Sequence, residues 1–341
     1  MCKGKMMMQG EVLLDVKELR SYFPITRGVF RHKIGDLKAV DGVSLQVLRG
    51  ETFGLVGESG CGKSTLVRSI LHLIEPTGGE INFGGKNITF LVPAERRGLC
   101  REMQLIFQNP YASLNPRMTI GDIVSEPLKI HEPELSQAEM RDRVLEMLER
   151  VGIEESAVVR YPHHFSGGQR QRICIARALI LKPALVFCDE PVSALDVSIR
   201  SQVLNLMSEL QEKLDLTYVF ISHDLSVVKH ISDRVGVMYL GKLVEVASKK
   251  VLFQNPLHPY TQALMSAIPI PDPNREVKHI VLKGDVPSPA DPPSGCRFHT
   301  RCAFATAMCA QADKVPSLYE IEKGHFVSCF KYGGDRLCIE P

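Results

Sequence analysis

Thr52-Phe-Gly-Leu-Val56 runs directly into Gly57-Glu-Ser-Gly-Cys-Gly-Lys-Ser-Thr65, and Leu66, Val67, Ile70, Leu71 and Leu73 then recur at helical spacing up to Pro76 and the Gly78-Gly79 pair. An apolar strand, a glycine-rich loop and a helix in that order form the context of a phosphate-binding loop. Gly57, Gly60 and Gly62 let backbone N–H groups turn around phosphate oxygens that side chains would obstruct. Lys63 reaches the β- and γ-phosphates of a nucleotide, and the Ser64 hydroxyl is a ligand for Mg²⁺. Ser59, Cys61 and Thr65 belong to the same ligand-facing stretch, with Cys61 read as a small tolerated side chain and not a nucleophile. The bland alternative is a glycine-rich turn that holds nothing.

A phosphate loop needs a second, carboxylate-bearing strand. Ala184-Leu-Val-Phe-Cys-Asp-Glu-Pro191 supplies an apolar run ending in two acids. Such a run suits a parallel strand covered on both faces, which delivers its last residues to the ligand edge of a sheet. Asp189 then holds Mg²⁺, directly or through water, and Glu190 polarises an attacking water. A strand ending in a solvated acidic turn is the competing reading.

Further along, the chain resembles the ABC-type ATPases. Phe165-Ser-Gly-Gly-Gln-Arg170 resembles their signature, with Phe where Leu is commoner. Gln108 in Leu105-Ile-Phe-Gln-Asn-Pro110 matches the Q-loop, Ser193-Ala-Leu-Asp196 the D-loop, and His223 in Val219-Phe-Ile-Ser-His-Asp224 the switch histidine. The resemblance covers roughly residues 10 to 255. It implies an α/β fold: a RecA-like P-loop NTPase core, an antiparallel β subdomain, and an inserted helical subdomain at about 109–165 that docks on a membrane partner. It also implies ATP and Mg²⁺, catalytic roles for Glu190, His223 and Gln108 (the last also at the metal), and an adenine-stacking aromatic. That aromatic falls on Phe23, with Tyr22 adjacent and residues 24–38 looking inserted.

Ser166-Gly-Gly opens a helical run in which Ile173, Ala176, Leu179 and Ile180 share a face. A serine-capped helix start carries a positive partial charge and suits an anion; alternatively, Ser166 merely caps its own helix. The resemblance places Ser166 and Gly168 on the nucleotide of another subunit, in a head-to-tail pair with a homologous ATPase or a second copy.

Composition narrows the class. Of 341 residues, 44% are apolar and 23% charged, and 41 basic against 39 acidic residues leave a net charge of +2. That is globular composition without the basic excess that grips nucleic acid. No apolar run is long enough to span a bilayer, and the N-terminus lacks the pattern of an export signal. Ten cysteines in a chain of this length therefore point to a reducing compartment with metal-binding or buried thiols.

From Asn255 the sequence becomes proline-rich, so a boundary is expected there: an ATP-binding domain over 1–255 and an irregular extension over 256–341. Cys296, Cys302, Cys309 and Cys329 crowd this extension without any CxxC pair. Four thiolates can hold Zn²⁺ or an iron–sulfur cluster, or remain free thiols. The cysteine tail, the Phe107-Gln-Asn-Pro-Tyr-Ala-Ser-Leu-Asn-Pro116 loop and Asn255-Pro-Leu-His-Pro-Tyr-Thr261 look like the oligopeptide/dipeptide importer ATPases. The insertion after Phe23 favours the second of that family's two ATPases. The resemblance implies a 4Fe–4S cluster on the four cysteines, with Zn²⁺ the alternative; Cys338 lies outside the pattern, and His299 and His325 are neighbours rather than ligands. It further implies two membrane permeases, an extracytoplasmic solute-binding protein, and a peripheral location on the cytoplasmic face of the membrane. Nickel and other small-solute importers share the pattern. A soluble ABC ATPase acting on nucleic acid is the competing class.

Overall fold

Alternating apolar positions build the first layer. In the computed structural model, which describes residues 10–268 apart from 29 and 31, and residues 279–333, β1 (Val12–Arg27) pairs antiparallel with β2 (His32–Leu48). Leu14 and Val16 face inward; Glu18 then takes a left-handed conformation (φ 47), and the shifted register turns Leu19 and Ser21 inward. Residues 24–38 extend the same hairpin, with Phe23 opposite Leu37 and Arg27 opposite His32. β3 (Thr52–Val56) is buried at every position and leads to α1 (Lys63–Ile70). β4 (Gly78–Phe83) and β5 (Lys86–Asn87) complete a four-stranded sheet in the order β2-β1-β4-β5.

Residues 91–232 form one compact unit; residues before and after them form the other. The 91–232 unit runs α2 (Pro93–Glu102), β6 (Met103–Ile106), α3 (Pro110–Ser113), α4 (Ile120–His131), α5 (Gln137–Arg150), α6 (Gly167–Leu179), β7 (Leu185–Asp189), α7 (Val197–Leu214), β8 (Thr217–Ile221) and α8 (Leu225–Ile231). β6, β7 and β8 are parallel, with Ile106 opposite Cys188 and Asp189 opposite Ile221. A continuous core joins Ile123 and Leu128 of α4, Val144 and Leu148 of α5, Ile173 of α6, Val186 of β7 and Met207 of α7. α5 starts at a reciprocal cap, in which Ser136 and Glu139 each accept the other's backbone N–H. Among the described residues no helix is long and apolar enough to cross a membrane.

The chain re-enters the first unit through β9 (Arg234–Tyr239), parallel to β3, and β10 (Lys242–Ser248), antiparallel to β9. α9 (Lys249–Gln254) and α10 (Pro259–Ser266) follow. The proline-rich extension then contributes a hairpin, β11 (Tyr319–Glu322) and β12 (His325–Val327), and β12 pairs with β10. Its anchor is Glu245, fully buried on β10. The Glu245 carboxylate accepts the N–H groups of Leu257 (2.8 Å) and His258 (2.9 Å) and meets His325 Nε2 at 2.7 Å. His258 in turn caps α10, its Nδ1 accepting the Tyr260 N–H at 3.1 Å.

Burial lowers the His258 pKa to about 4, although the Glu245 charge opposes this. The unfolded chain takes up that proton near pH 6.5. Stability from the neutral imidazole is therefore complete above pH 6.5 and lost as pH falls towards 4. His258→Asn keeps a capping oxygen without the titration. Its melting temperature should fall less between pH 7 and pH 4.5 than that of the wild type; parallel pH profiles would refute the role.

Candidate nucleotide-binding site

The phosphate loop is wound against two carbonyl groups. A Cβ on Gly57 (φ 153) would stand 2.1 Å from the Met238 carbonyl oxygen, and one on Gly62 (φ 107) would stand 2.1 Å from that of Ala39. Gly60 (φ 79) has open space around it but keeps the same left-handed backbone. Gly62 precedes α1, which has no side-chain cap and no acid in its first turn. Such a helix start retains the positive field that favours an anion. Lys63 is buried and its ammonium donates to the carbonyls of Gly57 (2.7 Å) and Glu58 (3.0 Å). Ser59 is exposed, while Ser64 and Thr65 are half-buried on the first turn of α1. Cys61 is buried 3.6 Å from the Lys63 ammonium, and burial raises its thiol pKa despite that charge. It is a packed, buried thiol.

Of the two adjacent aromatics on β1, Tyr22 is tied by its hydroxyl to Asp41, whereas Phe23 has no polar atom and is 37% exposed. Burial and the bond to Asp41 push the Tyr22 phenol up to about 12. Burial opposes ionisation of Asp41, but the Tyr22 hydroxyl and the charges of Lys242 and Arg297 outweigh it and lower its pKa.

In the 91–232 unit three of the sequence candidates meet. Gln108 Nε2 donates to Glu190 Oε2 at 3.0 Å, and His223 Nδ1 lies 3.0 Å from Glu190 Oε1. Each carboxylate oxygen therefore has its own partner, and the side chain is held in one orientation. The backbone is unusual as well: Glu190 is left-handed (φ 49), its N–H donates to the Ile221 carbonyl at 3.1 Å, and Ser193 Oγ donates to its carbonyl at 3.0 Å. A non-glycine residue there costs on the order of 1–3 kcal/mol and marks functional sites. Asp189 is buried at the end of β7, whereas the His223 side chain is 57% exposed.

Ser166 caps α6 in a reciprocal box with Gln169, accepting its N–H at 3.3 Å and donating its own to Gln169 Oε1 at 3.0 Å. The capping role is thus present, and the exposed hydroxyl remains compatible with an anion. Gly168 is needed because a Cβ would meet Ile199 Cγ2 at 2.4 Å.

Cys296, Cys302, Cys309 and Cys329 line one cavity of about 320 Å³ with His258, Phe298 and Phe304. Among the described residues, however, no three His, Cys, Asp or Glu side chains converge closely enough to hold a single metal ion. Burial raises the thiol pKa values of Cys302 and Cys329 and takes that of Cys296 to about 11. His299 Nδ1 faces the Cys296 carbonyl and His325 faces Glu245, so neither joins the quartet. Cys2 and Cys338 lie outside the described residues.

Three residues of the extension that carried no role in the sequence reach the phosphate loop and its neighbours. The Tyr260 hydroxyl accepts the Glu58 N–H at 2.9 Å. Arg301 Nη1 donates to both Glu58 carboxylate oxygens, at 2.9 and 3.3 Å. Arg297 binds Asp41 and the Leu240 carbonyl. The available signal was the pair of arginines inside Cys296-Arg-Phe-His-Thr-Arg-Cys302.

Comparison with known proteins places the chain in a family. Residues 40–193 match the ABC transporter family model, and residues 244–309 match the model of the oligopeptide/dipeptide transporter C-terminal region. The chain is 54% identical to the oligopeptide transport ATP-binding protein AppF of Bacillus subtilis, over 94% of this chain and 98% of that one. It is 53% identical to the oligopeptide transport ATP-binding protein OppF of Salmonella typhimurium, over 95% and 97%. Among solved structures it resembles a dimeric ATP-binding cassette in a post-hydrolysis state bound to ADP and Pi (TM-score 0.62, 28% identity, 70% of this chain and 99% of that one). It also resembles cbiO1 from Clostridium perfringens, part of an ABC transporter complex (TM-score 0.62, 28% identity, 72% and 92%).

The glycine contacts predict an uneven response to alanine. Gly57→Ala and Gly62→Ala add a collision with a carbonyl to a left-handed backbone and should each destabilise by about 3 kcal/mol. Gly60→Ala, with open space, should cost about 1 kcal/mol. Urea unfolding midpoints of the three variants test this; equal losses would show that crowding at 57 and 62 is not what selects glycine.

Proposed function

Because the chain belongs to the ABC transporter ATP-binding family and carries the C-terminal region of its oligopeptide/dipeptide branch, we propose that it is the ATP-hydrolysing subunit that energises oligopeptide import. The observation that carries the chemistry is Glu190, fixed between Gln108 and His223. In this reading the N–H groups of residues 57–65 and the Lys63 ammonium take the phosphates, Lys63 exchanging two carbonyls for phosphate oxygens. Phe23 stacks on adenine. Ser64 in the first unit offers a hydroxyl oxygen, and Asp189 and Gln108 in the 91–232 unit offer carboxylate and amide oxygens, each a donor type that suits Mg²⁺. When bound, Mg²⁺ would supply positive charge beside the phosphates. Glu190 orients the attacking water, and His223 bonds to that water and the γ-phosphate, so that catalysis rests on electrostatic positioning.

Ser166 and Gly168, at the start of α6, complete the nucleotide of a second ATPase, either a homologue or another copy. The ATPase domain extends to residue 255, with a helical subdomain at about 109–165 docking on one of two permeases; residues 256–341 are the importer-type extension. A solute-binding protein delivers the peptide from outside, and the chain works at the cytoplasmic face of the membrane. Transport requires such partners, because no described helix spans a bilayer.

For the four cysteines, support comes from their shared cavity. The family resemblance implies a 4Fe–4S cluster there, with Zn²⁺ the alternative, although no three described His, Cys, Asp or Glu side chains stand close enough to hold a metal ion. No catalytic step involves this site. Anaerobically purified chain should contain iron and acid-labile sulfide and lose both in Cys302→Ser; stoichiometric zinc without iron would overturn the cluster.

Glu190→Gln should lower steady-state ATP hydrolysis by about 100-fold or more while ATP affinity stays within about threefold of wild type. Unchanged turnover would remove Glu190 from the mechanism.

A further inference from the structure

We propose that Arg301 and Tyr260, both contributed by the C-terminal extension, are positioning residues for the phosphate loop and set its affinity for ATP through Glu58. The inference rests on reading residues 57–65 as the nucleotide loop. Besides the local turn bond that its carbonyl accepts from the Cys61 N–H at 3.3 Å, Glu58 is held at three points. Its N–H donates to the Tyr260 hydroxyl, its carboxylate takes both bonds from Arg301 Nη1, and its carbonyl accepts from the Lys63 ammonium. Only the third involves a group that a phosphate would draw away. Once Lys63 turns to phosphate, the links from Tyr260 and Arg301 keep the loop in its binding shape.

The supports are themselves rigid. Tyr260 is fully buried, and its ring packs against Tyr239 at 4.7 Å and Phe298 at 5.4 Å between centroids. The Arg301 side chain is 9% exposed, and its guanidinium lies 6.0 Å from the centre of the Tyr239 ring. Phe298 and Arg301 both lie between Cys296 and Cys302, so this segment of the extension is wedged against the loop. A loop ordered before binding loses less entropy on binding, and that difference appears as affinity. A charge pair with one partner largely covered, as Arg301 is, also positions more firmly than a fully exposed one.

The test is Mg·ATP binding to the full-length chain, measured by calorimetry beside thermal unfolding without nucleotide. Arg301→Ala and Tyr260→Phe should each weaken ATP binding by about 3- to 10-fold, within the span open to residues that do not themselves touch the ligand. Arg301→Lys should recover part of the loss. The exchange Glu58→Arg with Arg301→Glu should bind more tightly than either single variant. In the assembled transporter the KM for ATP should rise while kcat at saturating ATP is unchanged.

If folded Arg301→Ala binds ATP as wild type does, and only its melting temperature falls, the contacts merely anchor the extension and the inference is wrong. Should Arg301→Ala fail to fold, Tyr260→Phe decides, because it removes a single oxygen from a packed ring. Lys63→Ala measured alongside separates the two levels. Wild-type affinity in that variant would overturn the phosphate-loop reading itself. Loss of ATP there, with unchanged affinity in Arg301→Ala and Tyr260→Phe, would overturn only the positioning role.

Discussion

Two backbone carbonyls, those of Ala39 and Met238, set how tightly the phosphate loop is wound. Each stands 2.1 Å from where a side chain would begin, at Gly62 and Gly57 respectively. The close approach lets the loop bond to its surroundings through the backbone: the Cys61 carbonyl accepts the Gly241 N–H at 2.8 Å, and the Gly241 carbonyl accepts that of Asp41 at 2.9 Å. The winding also encloses Lys63, whose ammonium meets loop carbonyls. Those carbonyls give the buried ammonium hydrogen-bond acceptors in place of water. Phosphate oxygens are the better partner for it, because they carry full charge.

In the 91–232 unit the organising constraint is different. Parallel strands buried along their whole length leave chemistry only to their ends, and Asp189 and Glu190 stand at the end of β7. Glu190 sits where glycine or asparagine would be less strained. Its carboxylate explains why neither is there, since two partners hold it from opposite oxygens. The strain is supported by bonds from its own N–H and carbonyl, to Ile221 and Ser193.

What was legible in the sequence was local. The phosphate loop, the acidic strand and the serine caps each lie within about ten residues, so glycine spacing and apolar runs display them directly. The family resemblance supplied Gln108 and His223 as Q-loop and switch residues beside the nucleotide; that both bond to Glu190 is visible only in the structure. The contacts of Glu58 were not legible: Tyr260 lies 202 residues away and Arg301 243. Nothing in the local pattern of either residue reveals a partner at that separation. Residues 24–38 read as an insertion, but their strand pairing was not legible. Pro24, Gly28 and several charges hide the alternation of a hairpin that pairs from Pro24 opposite Asp36 to Arg27 opposite His32.

The proline-rich extension shows why composition describes flexibility poorly when a buried charge is nearby. Between Pro256 and Pro259, neither of which has an N–H, the only two backbone donors are those of Leu257 and His258, and both point at Glu245. A carboxylate with no exposure is tolerable only if its lone pairs are satisfied, and His325 supplies the remaining partner from β12. The prolines therefore do not loosen the chain; they leave it a single way to bond. Pro259 also suits the first turn of α10, where no donor is needed. Tyr260 follows directly, so the buried charge that folds the extension also fixes the residue whose hydroxyl meets the phosphate loop.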